Sequence, residues 1–181
     1  MNLHALRTRE AGRPPARAAG FGAVELMVTV AILATISAFG LPALADFVAR
    51  QRLAAVSGDF VGALALARSE AIRTGLQTLL LPLPGAGATG NEYGGGWQVV
   101  IDANASGTAE ASETVVRSFP ALSSTMRLGG DAPVAFAASG FLSRTVTLTM
   151  TLCPGAGRRQ GYAVSVLPTG VADVVRVTSC S

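Results

Sequence analysis

From Leu26 to Ala45 the chain runs 20 residues without a charged side chain. At about 1.5 Å per residue a helix of that length spans about 30 Å, the thickness of a bilayer's hydrocarbon core. Pro42, just after Gly40, is expected to kink it, because proline removes a backbone hydrogen bond and crowds the preceding turn. Beyond Asp46 the pattern becomes two-sided. Apolar residues recur at Leu53, Val56, Phe60, Leu64, Ala67 and Ala71, in steps of three and four, while Arg50, Arg52, Asp59, Arg68, Glu70 and Arg73 fall on the other side. That spacing predicts an amphipathic helix laid on a domain, continuing to about Arg73 and stopped by Gly75 in a left-handed conformation.

From Leu76 the period shortens to two. Stretches rich in Val, Thr and aromatic residues, separated by Gly, Pro, Asn and Ser, predict strands at 76–81, 97–101, 114–119, 134–136, 145–152, 162–167 and 174–177. The clearest runs from Thr145 to Leu152, with threonines alternating with apolar residues, which implies one wet and one buried face. The fold class expected is α+β: a long N-terminal helix, first transmembrane and then amphipathic, packed on an antiparallel, sandwich-like domain. The divisions are a leader over 1–20, a transmembrane helix over 21–45, its amphipathic continuation over 46–75 and a β-rich domain over 76–181.

Charge changes this picture in one respect. The leader holds Arg7, Arg9, Arg13 and Arg17 against Glu10, whereas the remaining chain balances 10 Arg with 10 acids. The basic excess therefore belongs to the leader and says nothing about a nucleic-acid partner; it orients the chain, with the leader cytoplasmic and everything after Ala45 exported. On that side Cys153 and Cys180 are expected to form a disulfide, two reduced buried thiols being the alternative.

A carboxylate, Glu25, stands immediately before the apolar run, where a charge is costly without a role. With the basic leader, the junction Gly20-Phe21 and the apolar helix, it resembles the prepilin motif of type IV pilins and type II secretion pseudopilins. The resemblance implies cleavage between Gly20 and Phe21 by a membrane-embedded prepilin peptidase and N-methylation of Phe21. It also implies that Glu25 pairs with the N-terminal amine of a neighbouring subunit, and that the helix near Pro42 can melt locally in a filament. The physics agrees: a carboxylate in apolar surroundings persists when a cation meets it. The family's common Thr-Leu-Ile-Glu is here Gly22-Ala23-Val24-Glu25.

The segment Leu66-Ala67-Arg68-Ser69-Glu70-Ala71 further resembles the GspH/FimT branch of minor pilins and pseudopilins. The function implied is a structural subunit of a type II secretion pseudopilus or a type IV pilus, acting at the tip complex that initiates the filament. Its partners would be other pilins, the inner-membrane assembly platform and the peptidase. Its location would be the inner membrane, single-pass, and then the filament.

No enzyme, cofactor or small-molecule substrate is expected. The single histidine, His4, lies in the leader, so the mature chain lacks the base for serine or cysteine nucleophile schemes and any imidazole ligand. The stretch 85–90 matches G-x-G-x-x-G, but Asn91, Glu92, Tyr93 and further glycines follow in place of a helix, so a strand-connecting loop is expected. Asp102-Ala103-Asn104-Ala105-Ser106-Gly107 with Glu113 approaches a calcium loop, yet strands flank it and its residues are ordinary turn formers. A turn is expected, a surface cation site being the alternative. DNA-uptake relatives follow a Pro-Thr-Gly turn with arginines. Here Pro168-Thr169-Gly170 is followed by Asp173, leaving Arg158, Arg159 and Arg176 as the candidates for a weak phosphate contact, with a DNA-binding minor pilin acting in DNA uptake as the alternative function.

Overall fold

The computed structural model describes residues 20, 22–85, 89–155 and 160–180. It divides into two compact units, the first ending at Ala45 and the second running from Asp46 to Ser181. One helix, α1 (Ala23–Thr74), contributes to both. Helical residues continue through position 42, so the proline does not end the element.

In the first unit every described side chain from Glu25 to Ala45 is exposed, including Leu26, Met27, Leu33 and Phe39. The two threonines of this stretch turn their hydroxyls onto their own helix: Thr29 Oγ1 donates to the Leu26 carbonyl and Thr35 Oγ1 to that of Ala31, both at 2.8 Å. Such bonds satisfy both threonine hydroxyls on a surface that is largely hydrocarbon.

In the second unit α1 buries the predicted stripe. Leu53, Phe60, Leu64, Ala67 and Ala71 are buried, joined by Ala63 and Ser57, and Val56 is half-buried. The alanines let the helix lie close to its neighbours. The helix ends as expected: Gly75 adopts φ +69°, and its N–H donates to the Ala71 carbonyl at 3.0 Å.

Among the described residues eight strands follow: β1 (Gln77–Pro82), β2 (Trp97–Asp102), β3 (Thr114–Phe119), β4 (Met126–Gly130), β5 (Val134–Phe136), β6 (Leu148–Pro154), β7 (Gly161–Val166) and β8 (Ala172–Val177). They form two antiparallel four-stranded sheets, ordered β3-β2-β1-β5 and β4-β6-β7-β8. A single core joins the helix to both sheets. Leu80, Trp97, Val99 and Phe136 enter it from the first sheet and Leu128, Met150, Leu152 and Val164 from the second. Leu79, Leu81 and Val100 occupy the opposite face of the first sheet. Between α1 and the first sheet sits an aromatic cluster. Phe60 meets Tyr93 and Trp97 edge-on, with centroids 5.0 and 5.3 Å apart, and Trp97 stacks on Phe119 at 5.4 Å.

Two sequence expectations are corrected. The strand expected over 145–152 begins only at Leu148, because its partners run out: Leu148 pairs with Val166 at the end of β7, and β4 reaches no further than Met150. Thr145 to Thr147 have no strand beside them and stay exposed. Within the true strand the alternation holds, with Leu148, Met150 and Leu152 buried and Thr149 exposed. Strand β4, Met-Arg-Leu-Gly-Gly, was not expected at all. Its glycines carry no strand signal, and its place is set from outside. The Leu128 N–H donates to Asn91 Oδ1 and the Gly130 N–H to Glu92 Oε2, while the Leu128 carbonyl accepts from the Tyr93 N–H.

Candidate functional site

At the N-terminal end, Gly20 and Glu25 are exposed, and Phe21 lies outside the described residues. Glu25 sits in the first turn of α1, beside the backbone N–H groups that carry the positive end of the helix dipole. It has no side-chain partner among the described residues. Helical backbone is described at Pro42, and its side chain is not. Among the described residues, Gly20 and Glu25 therefore take part in no intramolecular site. What exists is an apolar helix face with a carboxylate at its head, long and apolar enough to cross a membrane and uncovered within its own chain.

A second constellation brings the signature residues together. The side chain of Arg68, from the Leu-Ala-Arg-Ser-Glu-Ala stretch, is half-buried, and its Nε–H donates to the Gly140 carbonyl at 3.1 Å. The Pro168-Thr169-Gly170 turn closes on itself through Gly170 N–H to the Leu167 carbonyl at 2.8 Å, and the Pro168 carbonyl accepts from the Leu142 N–H at 2.9 Å. Gly170, at φ +77°, lies directly against the Gly140 carbonyl and Arg68 Nε. The arginine expected on the solvated helix face thus ties helix, Gly140 loop and Pro-Thr-Gly turn together. Neighbouring Glu70 pairs with Arg73, whose Nε donates to it at 2.9 Å. Periodicity had placed all three charges on the outer side and could not show that a carbonyl 72 residues away meets one of them.

At the other end of the second sheet Cys153 and Cys180 form a disulfide, Cα to Cα 5.7 Å, joining the end of β6 to the residues after β8. Arg176 projects from β8 opposite Tyr162. Of the three arginines considered for phosphate contact, Arg158 and Arg159 lie outside the described residues. Arg176 instead lines a cleft of about 430 Å³ with Arg50, Phe47, Leu53, Tyr162 and Val177.

The two motif resemblances resolve as loops. Asp102 is fully buried. Its Oδ1 accepts the Ser106 N–H at 3.0 Å, and its Oδ2 accepts the Gly107 N–H at 2.8 Å and Gln77 Nε2 at 3.3 Å. Its carboxylate closes the turn with backbone amides, and no three His, Cys, Asp or Glu side chains converge on a metal position among the described residues. In the glycine-rich stretch, residues 86–88 lie outside the described set. The chain leaving Gly90 passes through turns into β2, so no helix offers its N-terminus to a phosphate there. Glu92 in this connection accepts the N–H groups of Gly90 and Gly130, which hold its carboxyl below the usual range. Tyr93, buried and donating its hydroxyl to the Asp131 carbonyl at 3.1 Å, has its pKa pushed up by burial.

Known structures share this architecture. Two crystal structures of the Pseudomonas aeruginosa type IV minor pilin FimU superimpose with TM-scores of 0.59 and 0.57, at 19% and 18% identity. They cover 75% and 71% of this chain, and 99% and 100% of the crystallised FimU chains. These identities establish the common fold. No curated protein sequence matches the chain. The family described as type II transport protein GspH matches residues 57–170, which takes in the helix signature, both sheets up to β7 and the Pro-Thr-Gly turn. With that match spanning most of the sequence, the chain belongs to the GspH family, whose members are pilin-type structural subunits and not enzymes.

Proposed function

We propose that this chain is a minor pilin or pseudopilin matured by cleavage between Gly20 and Phe21 and N-methylated at Phe21. The apolar stretch of α1 holds the precursor in the inner membrane, leader inside and second unit outside, and later packs among other pilin helices. Glu25 then meets the free α-amine of a neighbouring subunit, and the helix around Pro42 adapts to that packing. The partners are other pilins, the assembly platform and the prepilin peptidase, and the place of action is the initiating tip of a secretion pseudopilus or type IV pilus.

One observation carries this reading: the exposed, uncharged helix face from Leu26 to Ala45, headed by Glu25, which has no partner among the described residues. An uncharged, mostly apolar run of 20 residues left in water would be strongly unfavourable at about 25 cal/mol per Å² of apolar surface. A bilayer or a bundle of like helices removes the cost. A carboxylate at the head of such a surface is tolerated when a cation approaches it. The test is the intact mass of the protein taken from membranes of cells with and without the prepilin peptidase. Loss of residues 1–20 and gain of one methyl group only when the peptidase is present is the expected result. An unprocessed chain in both strains would overturn the proposal.

A further inference from the structure

We propose that the cleft holding Arg50 and Arg176 binds the phosphate headgroup of an anionic membrane phospholipid. This rests on the membrane reading of α1 given above. The cleft, of about 430 Å³, is formed where the beginning of the helix's second part meets β7 and β8. Phe47, Leu53, Tyr162 and Val177 give it an apolar side, Gln51, Gln160 and Thr178 add neutral polar groups, and no Asp or Glu lines it. Arg50 and Arg176 are both exposed, and neither has an ion-pair or hydrogen-bond partner among the described residues. Arg73 and Arg68, by contrast, are engaged by Glu70 and Gly140, and Arg117 lies over the Phe119 ring. Two guanidinium groups from separate elements, without a partner among the described residues and beside apolar side chains, suit a ligand that is anionic at one end and hydrocarbon at the other.

The position along the chain selects a lipid among such ligands. Phe47 and Arg50 follow the last residue of the apolar run by two and five positions. Both therefore follow the apolar run by fewer than two helical turns within α1, the part of a spanning helix that meets the headgroup layer. Phe47, 51% exposed, is an aromatic side chain at the level where aromatic belts form. A duplex nucleic acid requires a longer basic track than two arginines, and Asp173 shares β8 with one of them.

The experiment uses the full chain in uncharged detergent, with lipid retention read by native mass spectrometry against phosphatidylglycerol and phosphatidylcholine. One phosphatidylglycerol is retained in preference to phosphatidylcholine. An arginine near an anionic lipid surface is worth enough to change retention about fivefold, so Arg50→Gln and Arg176→Gln each lower it about fivefold and the double variant about 25-fold. Arg117→Gln, remote from the cleft residues, leaves it unchanged. Equal retention by wild type and double variant, or equal retention of the two lipids, would overturn the proposal. So would full displacement by millimolar inorganic phosphate, which would make the ligand a free anion, or tighter arginine-dependent binding of duplex DNA. Alkaline carbonate extraction of the same membranes tests the anchor separately. Release without detergent sinks the membrane reading, whereas a membrane-held chain with arginine-independent lipid binding sinks only the headgroup site.

Discussion

Replacing Gly170 by alanine isolates the contact that joins helix, Gly140 loop and Pro-Thr-Gly turn, and Gly75 supplies the control. Both glycines have positive φ, +77° and +69°. An L-residue in that region costs about 1–2 kcal/mol, and alanine recovers a little by restricting the unfolded chain. At Gly75 a new Cβ meets nothing within 4 Å, so strain is the whole effect. At Gly170 the same atom falls well inside contact distance of the Gly140 carbonyl oxygen and 3.1 Å from Arg68 Nε. Normal carbon–oxygen separation requires the carbonyl to yield by more than about 1 Å, and it is the acceptor of the Arg68 bond. Loss of that charge-assisted bond adds about 1.5–3 kcal/mol. The expected destabilisation is therefore about 3–5 kcal/mol for Gly170→Ala against about 1 kcal/mol for Gly75→Ala. At about 3 °C per kcal/mol these correspond to Tm losses of roughly 9–15 °C and roughly 3 °C. Thermal unfolding of the detergent-held chain, followed by near-ultraviolet circular dichroism from the buried Trp97 and Tyr93, measures both. Because Arg68→Gln removes the same bond, Gly170→Ala and Arg68→Gln together should cost less than the sum of the two singly. Equal losses at the two glycines, or strict additivity with Arg68→Gln, would refute the reasoning.

The disulfide and the Glu92 carboxylate yield two more outcomes. Closing the Cys153–Cys180 loop, with a separation of 27, should stabilise the chain. A loop of that size is worth about 3.5 kcal/mol. The Cys153→Ser/Cys180→Ser variant should therefore melt about 10 °C lower, and reductant should bring wild type down to it. Coincident melting curves without reductant would show that the bridge constrains nothing. Glu92 is held below the usual carboxylate range by the amides of Gly90 and Gly130, so its contribution is present above the unfolded-state value of about 4.3 and is lost as pH falls through the lower folded value. The stability gap between wild type and Glu92→Gln should be widest above about pH 5 and close on acidification. A gap independent of pH would contradict this assignment.

What the sequence by itself determined is what neighbours along the chain can encode. The uncharged run from Leu26 to Ala45, the carboxylate before it, the buried stripe from Leu53 to Ala71 and the Gly75 stop are all set by spacings of one to four residues. Strands β1, β2, β3 and β5 were legible for the same reason: apolar, β-branched or aromatic stretches bounded by turn formers. The tertiary structure decided everything that depends on a partner distant in sequence. It set β4, two of whose five residues are glycines, by hydrogen bonds with Asn91, Glu92 and Tyr93. It moved the start of β6 to Leu148, where β7 first pairs with it, β4 joining only at Met150. It turned Arg68 from a surface charge into a tie to Gly140, and set Arg50 and Arg176 around one cleft. Periodicity reports which face of an element is apolar. Which carbonyl, strand edge or second arginine waits opposite is fixed only when the helix and the two sheets close on a common core.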